Sequence, residues 1–101
     1  MLKDGMVSMI QKAKKMQEDM QIAQEEIKST SCQGESGSGA VKITLTGEYR
    51  VTNIQINESF LTDKEVLEEL IMTALNDASS QVSKISKAKL KNVTGGINLP
   101  F

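Results

Sequence analysis

The chain has 101 residues, with twelve Lys or Arg against thirteen Asp or Glu and a formal charge of −1. Its 39% hydrophobic and 25% charged residues are those of one small globular domain, which excludes disorder of the whole chain. With no histidine and a single cysteine, Cys32, it excludes most zinc sites, Ser-His-Asp and Cys-His catalysis, and an internal disulfide. Its apolar runs are too short for a transmembrane helix. No apolar run follows the opening Met1-Leu2-Lys3-Asp4-Gly5, so no signal peptide is expected, and an unpaired thiol then points to a reducing cytoplasm.

The near-zero net charge hides a strong segregation. Residues 1–17 carry +3, residues 18–39 carry −4, residues 61–80 again −4, and residues 81–101 carry +4 with no acid at all. Blocks of this kind matter more to partners than the total does.

The first long helix is expected from about Met6 to Ser29. Met6, Met9, Ala13, Met16, Met20, Ala23 and Ile27 are spaced 3, 4, 3, 4, 3, 4, an unbroken heptad seam over three heptads. A helix packed on a globular core usually shows a wider stripe, so the narrow seam favours a helix–helix contact, within the chain or between subunits. Alternating Met and Ala make it a closely approachable, adaptable surface.

The middle of the chain reads as β. A short strand from about Ser31 to Glu35 is expected before Gly34-Glu35-Ser36-Gly37-Ser38-Gly39, a turn cluster. Val41, Ile43 and Leu45 alternate with Lys42, Thr44 and Thr46, the pattern of a half-buried strand. Gly47-Glu48 makes the next turn, and Val51 through Ile56 is a third strand with Ile54 and Ile56 on one face. Val51 is out of phase with them, which predicts a bulge or register change.

The second long helix is expected to start at Thr62, capped by the Thr62/Glu65 box. Its stripe is broad, running through Leu67, Leu70, Ile71, Ala74, Leu75, Ala78, Val82 and Ile85, as for a helix lying on a sheet. At about 100° per residue, Lys84, Lys87 and Lys91 fall on the opposite face. Lys89 occupies the next stripe position, so the buried stripe is expected to end at Ile85, with the last turns projecting beyond the core. Residues 1–91 form one αβββα domain in this reading, and residues 92–101, with two glycines and Pro100, a flexible tail.

Few residues carry chemistry. The glycine cluster is not a phosphate loop, because Gly39 leads into Ala40-Val41 and a strand rather than Lys-Ser/Thr and a helix. Cys32 has neither a histidine base nor a second thiol. Glu25-Glu26 and Glu68-Glu69 are helix neighbours pointing about 100° apart, so they do not form a catalytic dyad. Asn76-Asp77 fits hydrogen bonding to a loop or helix. The strongest signal is two lysine clusters, Lys12, Lys14 and Lys15 on the first helix and Lys84, Lys87, Lys89 and Lys91 on the second. Ammonium groups along a helix neutralise backbone phosphates and release counterions. Without an arginine-rich base-reading set, specificity is expected to be weak. Three scattered aromatics, Tyr49, Phe60 and Phe101, argue against single-strand stacking.

This order of helix, three strands and long helix resembles the YbaB/EbfC family of bacterial nucleoid-associated proteins. The resemblance rests on Gln11-Lys12-Ala13-Lys14-Lys15-Met16-Gln17 and Met20-Gln21 in the first helix, and on the Gly34–Thr44 turn into an alternating strand. It continues through Gly47 and Val51-Thr52-Asn53-Ile54-Gln55-Ile56, then Ala74-Leu75-Asn76-Asp77-Ala78, and ends with Asn98-Leu99-Pro100. Asn57-Glu58-Ser59-Phe60 departs from the family's usual Asp-Pro-Ser-Leu, and lysines stand where other members hold arginine. The resemblance implies an α+β fold in a tweezer-like homodimer, cytoplasmic and located in the nucleoid, that binds double-stranded DNA.

The expectation is thus a non-enzymatic DNA-binding homodimer of low sequence specificity. The seam from Met6 to Ile27 serves as dimer interface, and the seven lysines at the helix ends face DNA. No cofactor, metal, membrane or small-molecule substrate is expected. The alternative is a dimeric protein-interaction module using the Met-rich seam, with DNA binding incidental. Added salt separates the two, because phosphate binding weakens steeply with it.

Overall fold

The computed structural model describes the backbone of residues 2–95 and the side chains from residue 5. Its elements are α1 (Leu2–Ser29), β1 (Ser31–Ser36), β2 (Val41–Thr46), β3 (Val51–Ile56), a 3₁₀ turn (Glu58–Phe60) and α2 (Lys64–Thr94). The strands form one antiparallel sheet in the order β1-β2-β3, and the molecule is drawn out to 74 × 21 × 16 Å. None of the described helices is long and apolar enough to cross a membrane.

The strands follow the alternation in the sequence. Val41, Ile43 and Leu45 are buried under α2. Between the pairs Thr44↔Asn53 and Leu45↔Val51 the register shifts. Thr52 is thus the extra residue of a bulge, which returns Val51 to the face of Ile54 and Ile56 and accounts for the phase break. The first turn is shorter than expected. Gly34, Glu35 and Ser36 belong to β1, and the chain reverses over Gly37-Ser38-Gly39-Ala40, with positive φ of 59°, 55° and 90° at the first three. Gly34 has a packing task instead. A Cβ there would run into the Ala74 carbonyl oxygen and the Ala78 nitrogen, so α2 rides directly on the β1 backbone. Gly47 has the same role at the second turn, against the Ile27 carbonyl of α1.

α2 starts one residue later than expected. Asp63, not Thr62, is the N-cap; its Oδ1 accepts from the Val66 N–H at 3.2 Å. The 3₁₀ turn draws Thr62 into the preceding bend, and the Asp63 N–H bonds to the Phe60 carbonyl at 3.4 Å. A carboxylate at that end also suits the helix dipole. From Leu67 to Ile85 the apolar stripe packs on β1 and β2, around Ala74, Ala78 and Val82. Ser36 Oγ donates to the Leu70 carbonyl at 2.6 Å.

The sheet-facing stripe does end at Ile85, but the later turns do not project alone. α1 lies antiparallel on the same side of α2, with Ala23 buried, Met16, Met20 and Ile27 half-buried, and Leu90 and Val93 half-buried opposite. α2 therefore continues to Thr94, where Gly95 in the left-handed conformation closes it. Residues 92–94 of the expected tail are helical, and residues 96–101 lie outside the described residues.

The two sheet edges differ. At β1, α2 side chains occupy the outward backbone groups: Asp77 Oδ2 accepts from the Glu35 N–H at 3.0 Å, and Gln81 Nε2 donates to the Gln33 carbonyl at 2.9 Å. This settles what Asp77 does. α2 packs on β1 and β2 rather than over β3, which leaves Val51 47% and Ile54 50% exposed on the helix side of the sheet.

Candidate nucleic-acid interface

Lys84, Lys87 and Lys91 are exposed. Relative to buried Val82 they sit about 140–200° around α2, turned away from both the sheet and α1. They rise over about 10 Å of helix, one turn and then another. No acid lies on α2 beyond Asp77, so this face holds three cations with no intrahelical partner at i±3 or i±4.

Lys89 does not join them. It lies on the inner side of α2, its Nζ 3.1 Å from Glu26 Oε2 of α1. Its ammonium reaches across the helix pair to the carboxylate, beside a cleft that Ile22, Ala23 and Val93 also line. With the two side chains 32% and 56% exposed, the pair is solvent-screened, and its value lies more in fixing the helix–helix register than in stability. In sequence, Lys89 signals only a break in the stripe; the partner that makes the position acceptable is 63 residues away.

Lys12, Lys14 and Lys15 are exposed on the first half of α1. α1 and α2 run antiparallel, with Asp19, Ile22 and Ala23 beside Asn92 and Val93. The three lysines therefore lie past the end of α2, with Lys15 about 14 Å beyond the level of Lys91 along the pair. Lys12 and Lys15, three residues apart, share one side; Lys14 is about 160° from Lys12 around the helix. The seven candidate lysines thus divide into an outward trio on α2, a pair near the middle of α1, Lys14 on another face, and Lys89 held by Glu26.

The expected seam divides too. Its lower part, Met20, Ala23 and Ile27, is engaged by α2 of the same chain, and Met16 is half-buried. Its upper part is open: Met6 is 62% and Met9 71% exposed, and Ala13 is exposed. Two features escaped sequence reasoning, the Glu26–Lys89 pairing and the uncovered apolar strip of β3. The strip reads as an ordinary buried strand until the position of α2 is known. Cys32 is buried in the core. Among the described residues no group of three His, Cys, Asp or Glu side chains is placed to hold a metal ion.

Comparison with known proteins agrees with this architecture. An uncharacterized protein from Helicobacter pylori, HP0035, has a crystal structure similar to this one, with a TM-score of 0.73 and 30% sequence identity over 82% of this chain and 89% of that one. The model of the YbaB/EbfC DNA-binding family matches residues 2–97, nearly the whole length. The chain belongs to the YbaB/EbfC DNA-binding family.

Proposed function

We propose that the protein binds duplex DNA with low sequence specificity, as a non-enzymatic homodimer, by laying the outward lysine trio of α2 along backbone phosphates. The observation that carries this reading is the Lys84/Lys87/Lys91 face, exposed and free of neighbouring acids on its own helix. Ammonium groups there contact phosphate oxygens and release counterions, and they read no base edges. Lys12 and Lys15 extend the contact past the end of α2. Lys89, turned to Glu26, stays out of it. A DNA-binding role in turn suits a cytoplasmic protein of the nucleoid, where it would affect DNA organisation and gene expression.

The homodimer is supported by the uncovered strip on the helix side of the sheet. Val51 and Ile54 pair with Leu45 and Ile43 on the helix side of the sheet, and the half-buried Ile71 and Leu75 of α2 pack on the same β2 core, so we infer an apolar wedge between them. α2 of a second copy fits this wedge, its own flank meeting the first. Two copies joined there carry two projecting helix pairs, and so two lysine faces to straddle a duplex.

The test is fluorescence anisotropy of unrelated duplexes of ~30 bp at low and physiological salt, in the micromolar range typical of non-specific binding. Wild type should bind all of them, and more weakly as salt rises. The variant with Lys84, Lys87 and Lys91 all changed to Glu should not bind. If a correctly dimeric wild type fails to bind at low salt, or the triple variant binds as wild type does, this mechanism is wrong.

A further inference from the structure

We propose that the open upper seam of α1 is a docking site for a helix of another protein, one with an apolar seam and acidic flanks. The heptad letters make the case. Met6, Ala13, Met20 and Ile27 take position a and Met9, Met16 and Ala23 position d, so Lys12, Asp19 and Glu26 fall at g, the flank that selects partners in helix pairs. In the lower half the structure contains a worked example. α2 lies antiparallel on the seam, and the g-position acid Glu26 meets a base, Lys89, at 3.1 Å.

The upper half keeps the same phase and the same small and flexible seam residues, but nothing among the described residues lies on it. Met6, Met9 and Ile10 are 55–71% exposed. Here the g position is Lys12, with Lys15 one turn on and no acid between Gly5 and Gln17. By the rule the lower half obeys, the complement is a helix that continues the line of α2 and sets an acid against Lys12. An antiparallel second copy of α1 is the wrong partner, because it sets the g-position Lys12 of one copy against that of the other. The seam from Met6 to Met16 is about 15 Å long, enough for roughly one and a half heptads of partner. Methionine on both a and d accepts partners of varied shape. The seam is separate from the lysine face of α2, but its flank shares Lys12 and Lys15 with the proposed DNA contact, so DNA and a partner helix would compete for those two lysines.

The probe is a stapled helix of about 14 residues with Leu at a and d. It is made in two forms, with Glu or with Lys on the flanks, and titrated against the full-length protein by anisotropy. The Glu-flanked form should bind at least ~10-fold more tightly than the Lys-flanked form. Met9→Asp should abolish that binding and leave the melting curve as in wild type, since Met9 is exposed; duplex binding through the α2 trio should persist, reduced at most by the new carboxylate's pairing with Lys12 three residues on. Lys12→Glu should reverse the preference between the two helices. The proposal is overturned if neither helix binds, if both bind equally, or if Met9→Asp changes nothing. It also falls if binding appears only in a chain ending at Gly95, which would mean the protein's own last residues take the site. Sedimentation showing that Met9→Asp halves the wild-type mass would assign the seam to a second copy. Binding to anionic lipid vesicles, lost in Met9→Asp while neither helix binds, would assign it to a membrane surface.

Discussion

Replacing Gly34 with alanine tests the central packing claim, that α2 rides directly on the β1 backbone. The added Cβ would run into the Ala74 carbonyl oxygen and the Ala78 nitrogen, and lie 2.9 Å from the Ala78 Cβ. Two of these three are backbone atoms of a continuous helix, so no rotamer change relieves the clash and α2 has to lift. A radial gap of 0.5–1 Å forfeits roughly a quarter to a half of each dispersion contact it opens. The contacts at stake join Cys32, Val41, Ile43 and Leu45 to Ala74, Ala78 and Val82, which are the buried core. Overpacking of this kind costs about 1–3 kcal/mol. The loss of glycine's freedom in the unfolded chain returns about 0.4–1 kcal/mol, and only where the native site accepts the methyl group. A net loss near 2 kcal/mol corresponds to a melting temperature lower by roughly 8–16 °C for a domain of this size. Gly5→Ala is the control. Gly5 lies inside α1 with nothing within 4 Å of its Cβ position, so that change should stabilise by about 0.5–1 kcal/mol. Both variants are compared with wild type by circular dichroism at one fixed protein concentration, because association shifts apparent stability. A Gly34→Ala protein melting within about 2 °C of wild type would refute the close approach of α2 to β1.

Asp63→Ala should cost about 1 kcal/mol in urea unfolding through loss of the helix cap, whereas Thr62→Ala should stay within about 0.5 kcal/mol. The opposite ranking would restore Thr62 as the cap. Asp77→Ala removes the acceptor of the Glu35 N–H on the β1 edge; it should cost about 0.5–1.5 kcal/mol and speed exchange of that amide in particular, as seen by hydrogen exchange. On DNA, Lys87→Gln should lower the slope of log K against log salt by about 2, one neutralised phosphate from each protomer of the dimer, whereas Lys89→Gln should leave the slope unchanged. Equal slopes for the two variants would mean that Lys89 leaves Glu26 to reach the duplex.

Local pattern and distant packing divided this molecule between them. Alternation placed β2 and β3 to the residue and exposed the bulge at Thr52 through the phase of Val51, because side-chain period and strand pairing are local properties. Heptad spacing likewise showed that α1 meets another helix, and the helical wheel that Lys84, Lys87 and Lys91 share a face. The lysine face was therefore legible in the sequence, and so was the family.

The tertiary structure decided what each surface meets. That the lower seam is taken by α2, that Lys89 turns inward to an acid 63 residues away, and that Gly34 serves contact rather than a turn all follow from the antiparallel placement of two helices far apart in the chain. So does the exposure of Val51 and Ile54, which any reading of β3 alone would bury. A residue's own pattern sets which way its side chain points along an element. Whether a helix, a carboxylate or water waits there depends on where the chain returns, and periodicity carries no record of that.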